Sequence, residues 1–297
     1  MTEKDYIPEL ELCKKNSVTS SPSSVCTLYD TSSSLEWDPT SNNAAIPMDE
    51  EVVKEEKKSE VEANVDLIRR DAGRAVIFRY NDIHNNISIT PPYASERLAQ
   101  VLENTIRQGN TSLHYYQGLH DIAGVVLHNM DYDVDKTTQI LIQISHSHLR
   151  DAMRENFANI NWLLSVLLPP LVEKVDPYVH YSLQVAQVEL ATICLPWMIT
   201  WFTHDIYDPE TAGRLVDAFL SGHPLMPVYF AVALITHPVL KKDILQADCD
   251  DPSSIFVLIK TMPLKIKTIQ KGKILNQQEQ HTTVSLQEVL EDSISMM

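Results

Sequence analysis

From about Asn64 onward, apolar residues recur at intervals of three and four, the spacing that keeps one face of a helix buried. In "YASERLAQVLENTIRQG" the apolar positions Leu98, Val101, Leu102 and Ile106 follow that rhythm, and Gly109 is suited to stop the helix. Pro91 and Pro92 close the preceding segment. "MRENFANINWLLSVLLPP" repeats the scheme, with Pro169 and Pro170 expected to end it because a proline offers no N–H to the preceding turn. In "HDIYDPETAGRLVDAFLSGHP", Asp208 reads as an N-cap, Pro209 as the first helical residue and Gly222 as the stop. No alternating apolar and polar run, no Asn-Gly or Asp-Gly turn and no repeat period interrupts the pattern. The implied class is all-α, with roughly ten or more helices in a single domain.

Residues 1–62 lack this rhythm. Of the 19 residues from Asn16 to Ser34, 11 are Ser or Thr, and the charged run "MDEEVVKEEKKSEVE" follows. The segment holds 14 acids against 6 basic residues, half of the chain's net charge of −16, so it reads as a disordered acidic tail. The helical domain is then expected over 63–265, with a C-terminal extension over 266–297. The acidic balance excludes a nucleic-acid binder, which needs a basic face to displace counterions. Cys13, Cys26, Cys194 and Cys249 show no paired spacing and read as reduced thiols. The apolar run "LMPVYFAVALI" falls well short of the roughly 18 residues a membrane span needs. A soluble, cytoplasmic chain is therefore expected.

Several chemistries can be tested against the pattern. Neither a phosphate-binding loop nor a dinucleotide fingerprint occurs. "DYDVD" at 131–135 imitates a calcium loop, but Lys136 stands where the loop needs Gly and Ile142 where it needs Glu. His146 and His148 would point to opposite sides of a helix and cannot share a metal. "DCDD" at 248–251 reads as a helix start. Two His-Asp doublets, His120-Asp121 and His204-Asp205, leave open a helical metal phosphohydrolase, although neither has an evident third and fourth ligand.

A further constellation joins "IRRDAGR" at 68–74 to "YYQG" at 115–118. Ile68, Asp71 and Arg74 lie three apart on one helical face, and by spacing alone Asp71 and Arg74 could be an ordinary surface ion pair of about 0.5 kcal/mol at most. Tyr115 and Gln117 could equally be a packed ring and a solvated amide.

Together, I-x-x-D-x-x-R and Y-x-Q-G resemble the paired fingerprint of the TBC domain, a family of Rab GTPase-activating proteins. "LHYYQGLHDI", "SHLRDAM", "LPWMITWFTHDIYD" and "GHPLMPVYFAVALI" are similar to the branch of that family anchored in the endoplasmic reticulum, over about residues 64–265. The resemblance implies a single multi-helix TBC domain and activity toward a GTP-bound Rab in ER-to-Golgi traffic. Arg74 and Gln117 would be two catalytic fingers, with Ile68, Asp71, Tyr115 and Gly118 supporting them. Ile68 would anchor the helix, Asp71 would hold Arg74, Tyr115 would pack under the loop of Gln117, and Gly118 would allow a sharp turn. No cofactor is expected in the chain itself, because the Rab carries GTP and magnesium. Recruitment to ER or Golgi membranes would follow from that partner. Three features depart from the family: no R-x-x-x-W helical block precedes the arginine motif, "AVIF" stands where Thr-Phe-Pro is usual, and no hydrophobic anchor follows. A Rab-binding module without catalytic activity is the alternative reading.

Overall fold

The computed structural model describes residues 50–77, 91–109, 113–268 and 283–297. The Ser/Thr-rich stretch of the expected tail lies outside them, as do Cys13 and Cys26. Among the described residues nearly all of the regular secondary structure is helical, as the pattern implies. The helices are α1 (Glu50–Gly73), α2 (Ala94–Gln108), α3 (Leu119–Asn129), α4 (Val134–His146), α5 (Ala158–Val175), α6 (Pro177–Val185), α7 (Leu190–Thr200), α8 (Pro209–Ser221), α9 (Met226–Thr236), α10 (Lys241–Gln246) and α11 (Pro252–Lys260). A short 3-10 turn, Met262–Lys265, leads into β1 (Ile266–Lys267), which pairs in parallel with β2 (Val284–Ser285) before the final helix α12 (Leu286–Ser295). α1 thus begins at Glu50, inside the stretch assigned to the tail.

Local chemistry explains most boundaries. On α2, Leu98, Val101, Leu102 and Ile106 are all buried, and the Gly109 N–H closes the last turn on the Thr105 carbonyl at 2.9 Å. Asp208 caps α8 by accepting the Thr211 N–H at 2.9 Å, with Pro209 in the first turn. Asp251, from the "DCDD" cluster, caps α11 in the same way through Ser254. The expected stop at Pro169 and Pro170 does not occur, because α5 runs through both to Val175. The carbonyls that lose donors there belong to Ser165 and Val166, both exposed residues that water can serve.

α1 packs on α2, and α2 on α4; α3 lies against α1, α2, α4, α7 and α8. α5, α6, α7 and α9 form a neighbouring group, and α12 closes on α9 and α8. Buried Asp176 ties α10 to this group, capping α6 through the Tyr178 and Val179 N–H groups while accepting from Lys241 on α10 at 2.6 Å. No single helix among the described residues is long and apolar enough to cross a membrane.

An aromatic cluster fills the core where α7 ends. Trp197, Phe202, Phe219 and Phe230 are fully buried, with Phe202 stacked on Trp197 at 5.3 Å and edge-on to Phe230 at 4.9 Å. Trp201 and Phe202 both adopt the left-handed conformation, with φ of 50° and 62°, which is costly for bulky side chains. Their burial among the aromatic rings holds the reversal in place, and that reversal aims the following residues back toward α3.

Two outcomes follow from this packing. Phe202→Ala should cost about 3–5 kcal/mol and lower the melting midpoint by roughly 6–20 °C, read by calorimetry; a change of under about 2 °C would contradict the packing. The second concerns acid. Burial lowers the pKa of His128, partly opposed by Asp131, and of His237, partly opposed by Glu288 and Asp292. Below the ordinary value of 6.5 the unfolded chain takes up these protons before the folded one does, so stability is retained above 6.5 and declines as pH falls beneath it. Melting midpoints between pH 7.5 and 5.5 should fall, less steeply in His237→Gln; equal slopes would remove His237 as a cause.

Candidate functional site

The last turn of α1 carries the first motif. Ile68 is fully buried and fixes the rotation of the helix, which places Asp71 inward, also with no exposure. Arg74 lies just beyond the helix end, its N–H bonded to the Asp71 carbonyl at 3.0 Å, and its side chain remains 48% exposed. Its Nη2 donates to Asp71 Oδ1 at 2.6 Å. A fully buried carboxylate is no surface partner, so the simple exposed-pair reading of Asp71 and Arg74 does not hold. One of the guanidinium's five N–H donors is engaged in that bond.

The second motif reaches the same carboxylate. The Tyr115 hydroxyl donates to Asp71 Oδ2 at 2.7 Å, joining two segments 44 residues apart. Burial first, and the Asp71 hydrogen bond second, push the Tyr115 phenol far above its ordinary range, so it remains a donor. Through its hydroxyl, Tyr115 thus reaches the arginine side of the site. Its neighbour Tyr116 donates its hydroxyl to the Ile199 carbonyl at 2.8 Å, meets Phe157 edge-on, and lies with its ring 3.5 Å from where a Cβ on Gly118 would stand.

Gln117 itself is exposed, at the tip of a turn. Gly118 has φ of +123°, a conformation open to glycine and strained for other residues. A Cβ there would also stand 3.0 Å from Thr200 Cγ2, at the end of α7. The glycine permits both the turn and the close approach of α7. Gly73, by contrast, has open space around it.

Behind the two turns, the two His-Asp doublets converge in part. His204 Nδ1 donates to Asp121 Oδ2 at 2.6 Å, and Asp121 Oδ1 accepts the Val76 N–H at 3.0 Å. The Gly118 N–H donates to His120 Nδ1 at 3.2 Å, which leaves the ring proton on Nε2, 3.6 Å from Asp121. Burial lowers the His120 pKa, opposed by Asp121 and Asp71 and reinforced by Arg74 and His204. Burial raises the Asp205 pKa. Both Asp121 oxygens are thus occupied by N–H donors, and no group of three or more metal-ligating side chains is assembled among the described residues.

The structure brings Ile68, Asp71, Arg74, Tyr115, Gln117 and Gly118 to one end of α1 and α3. Sequence reasoning missed Tyr116 and Thr200. Tyr116 carried a hint in the "YY" doublet, whereas nothing local links Thr200 to a glycine 82 positions earlier. His120, Asp121 and His204 were visible, but as candidate ligands rather than hydrogen-bonding partners.

Comparison with known proteins identifies the family. A family model described as the Rab-GTPase-TBC domain matches residues 28–245. TBC1 domain family member 20 from Homo sapiens and from Bos taurus is in each case 33% identical over 189 residues, 61% of this chain and 45% of theirs. GTPase-activating protein gyp10 from Schizosaccharomyces pombe is 32% identical over 123 residues, 41% of this chain and 32% of its own. The chain spans less than half the length of these curated relatives. With a match across most of its length on an all-helical frame, the chain belongs to the Rab-GTPase-TBC domain family.

Proposed function

We propose that this chain binds a Rab-family GTPase in its GTP-bound state and accelerates hydrolysis by presenting Arg74 and Gln117 as two fingers. The observation that carries the proposal is the buried Asp71 carboxylate, which accepts from Arg74 and from Tyr115 at once. One interaction therefore holds together the turns bearing both exposed side chains. Arg74 keeps donors available beyond its bond to Asp71, and its planar guanidinium suits bridging the oxygens on which charge develops as the terminal phosphoryl group departs. Gln117 can accept from and donate to one water, which fits the task of aligning it for attack. GTP and magnesium arrive with the partner, so the chain supplies positioning and charge. The relative named as a GTPase-activating protein supports this reading. The likeness of "LPWMITWFTHDIYD" and its neighbouring segments to the ER-associated branch supports action in ER-to-Golgi traffic, on the cytoplasmic face, with recruitment through the Rab.

Single-turnover hydrolysis by a panel of GTP-loaded Rabs, with this chain in excess, tests the proposal. Arginine fingers supplied in trans are worth roughly 10³- to 10⁵-fold, or about 4–7 kcal/mol of barrier. Arg74→Ala should lose most of that stimulation; because it also takes a donor from buried Asp71, its melting midpoint should fall, and the assay is run below that midpoint with Rab binding measured alongside. Arg74→Lys should recover little, since a point charge cannot bridge two oxygens. Gln117→Ala should be impaired even when the Rab keeps its own glutamine, and the double variant should be little worse than the poorer single one. Full stimulation by Arg74→Ala would sink the finger mechanism. Binding without stimulation by the unaltered chain would make it a Rab-binding module.

A further inference from the structure

The turns that carry Arg74 and Gln117 are both fastened to one short piece of backbone, the first turn of α3. Downstream of Arg74, the chain passes through buried Ala75 and Val76, and the Val76 N–H ends on Asp121 Oδ1 at 3.0 Å. One helical turn further along α3, Gly124 presents no side chain. The space its Cβ would take lies 3.1 Å from Ile77 Cγ2 and 3.6 Å from Ala75 Cβ. The segment after Arg74 therefore lies directly on the face of α3 that carries Asp121. On the other side, Gly118 immediately follows Gln117, and its N–H ends on His120 Nδ1 at 3.2 Å. His204, from the loop after α7, adds a third tie to Asp121 Oδ2.

We propose that His120 and Asp121 are positioning residues that set the separation and aim of the two finger turns. His120 does so through the Gly118 N–H and Asp121 through the Val76 N–H. The pairing rests on the reading of Arg74 and Gln117 as fingers. Because the two residues are adjacent on one helix, they cannot move apart, and neither can the backbone groups they hold. Asp71 joins the same turns through the side chains of Arg74 and Tyr115; His120 and Asp121 grip main-chain N–H groups, so their hold does not depend on the rotamers of the finger residues. Neither residue needs to touch the nucleotide. Their effect should appear in the rate of the assembled complex, since displacing a catalytic group by about 1 Å can cost on the order of 10²-fold.

Amide exchange of the free chain and single-turnover kinetics on the best Rab of the panel test this together. In Asp121→Ala the Val76 amide should exchange at least about ten-fold faster, with amides in the centre of α9 unchanged. Asp121→Asn retains an oxygen where Oδ1 stands and should keep that amide protected. His120→Ala should free the Gly118 amide, and His120→Asn, whose Oδ1 falls close to the place of Nδ1, should restore it. In the kinetics, Asp121→Ala should lower the maximal rate by roughly 10- to 100-fold, with the half-saturating concentration within about three-fold of the unaltered chain. Asp121→Asn should remain within about three-fold in both.

Unchanged exchange at Val76 in Asp121→Ala overturns the proposal whatever the activity. A maximal rate equal to that of the unaltered chain, despite a freed Val76 amide, overturns it as well. So does a loss confined to the half-saturating concentration. If Asp121→Ala fails to fold, Asp121→Asn and His120→Ala decide: a freed Val76 amide in the first, or a protected Gly118 amide in the second, is fatal. If the unaltered chain stimulates no Rab, the activator reading falls, and with it the part assigned to these residues in catalysis. The exchange data then report whether the backbone ties themselves exist.

Discussion

A carboxylate without access to water must be matched by donors, and Asp71 is matched by two that come from different places. Arg74 lies three residues on, at the end of the same helix, while Tyr115 lies on the far side of a long excursion through α2. Leaving either oxygen unserved would strand charge in the interior, an expense of several kcal/mol for a group so placed. The requirement settles more than one contact. α1 must end where Arg74 can turn back on Asp71, and the segment before α3 must bring Tyr115 to the same point. Two motifs distant in sequence thus answer to one polar group.

The frame that meets this demand was largely legible beforehand. Amphipathic periodicity reports burial directly, so the face of α2 and its stop at Gly109 could be read from residue types alone. Caps were legible for a similar reason: Asp208 and Pro209 act within one turn of where they stand. Pro169 and Pro170 misled because the proline rule describes a missing donor. It does not say whether the orphaned carbonyls will be buried or wet. In α5 they belong to an exposed face, and the helix continues.

The candidate site was legible in its members and less so in its wiring. Ile68, Asp71, Arg74, Tyr115, Gln117 and Gly118 follow from the resemblance to a family fingerprint, and their residue types suit the geometry they adopt. What could not be read was who meets whom across long stretches of chain. Tyr115 and Tyr116 are adjacent and chemically identical, yet one serves Asp71 and the other the end of α7. Only the tertiary path separates them. The same holds for His204, whose partner lies 83 residues earlier in the other doublet.

The reversal at Trp201 and Phe202 has a consequence of a different kind. The backbone there asks for glycine, because both residues occupy the left-handed region. The core asks for large rings, because Trp197, Phe219 and Phe230 surround the space they fill. No amino acid satisfies both requests. Glycine would relax the chain and hollow the interior, and the present pair does the opposite. The junction between α7 and the loop of His204 is therefore a standing compromise, locally unfavourable and globally retained. Sequence change there has few directions in which to improve anything.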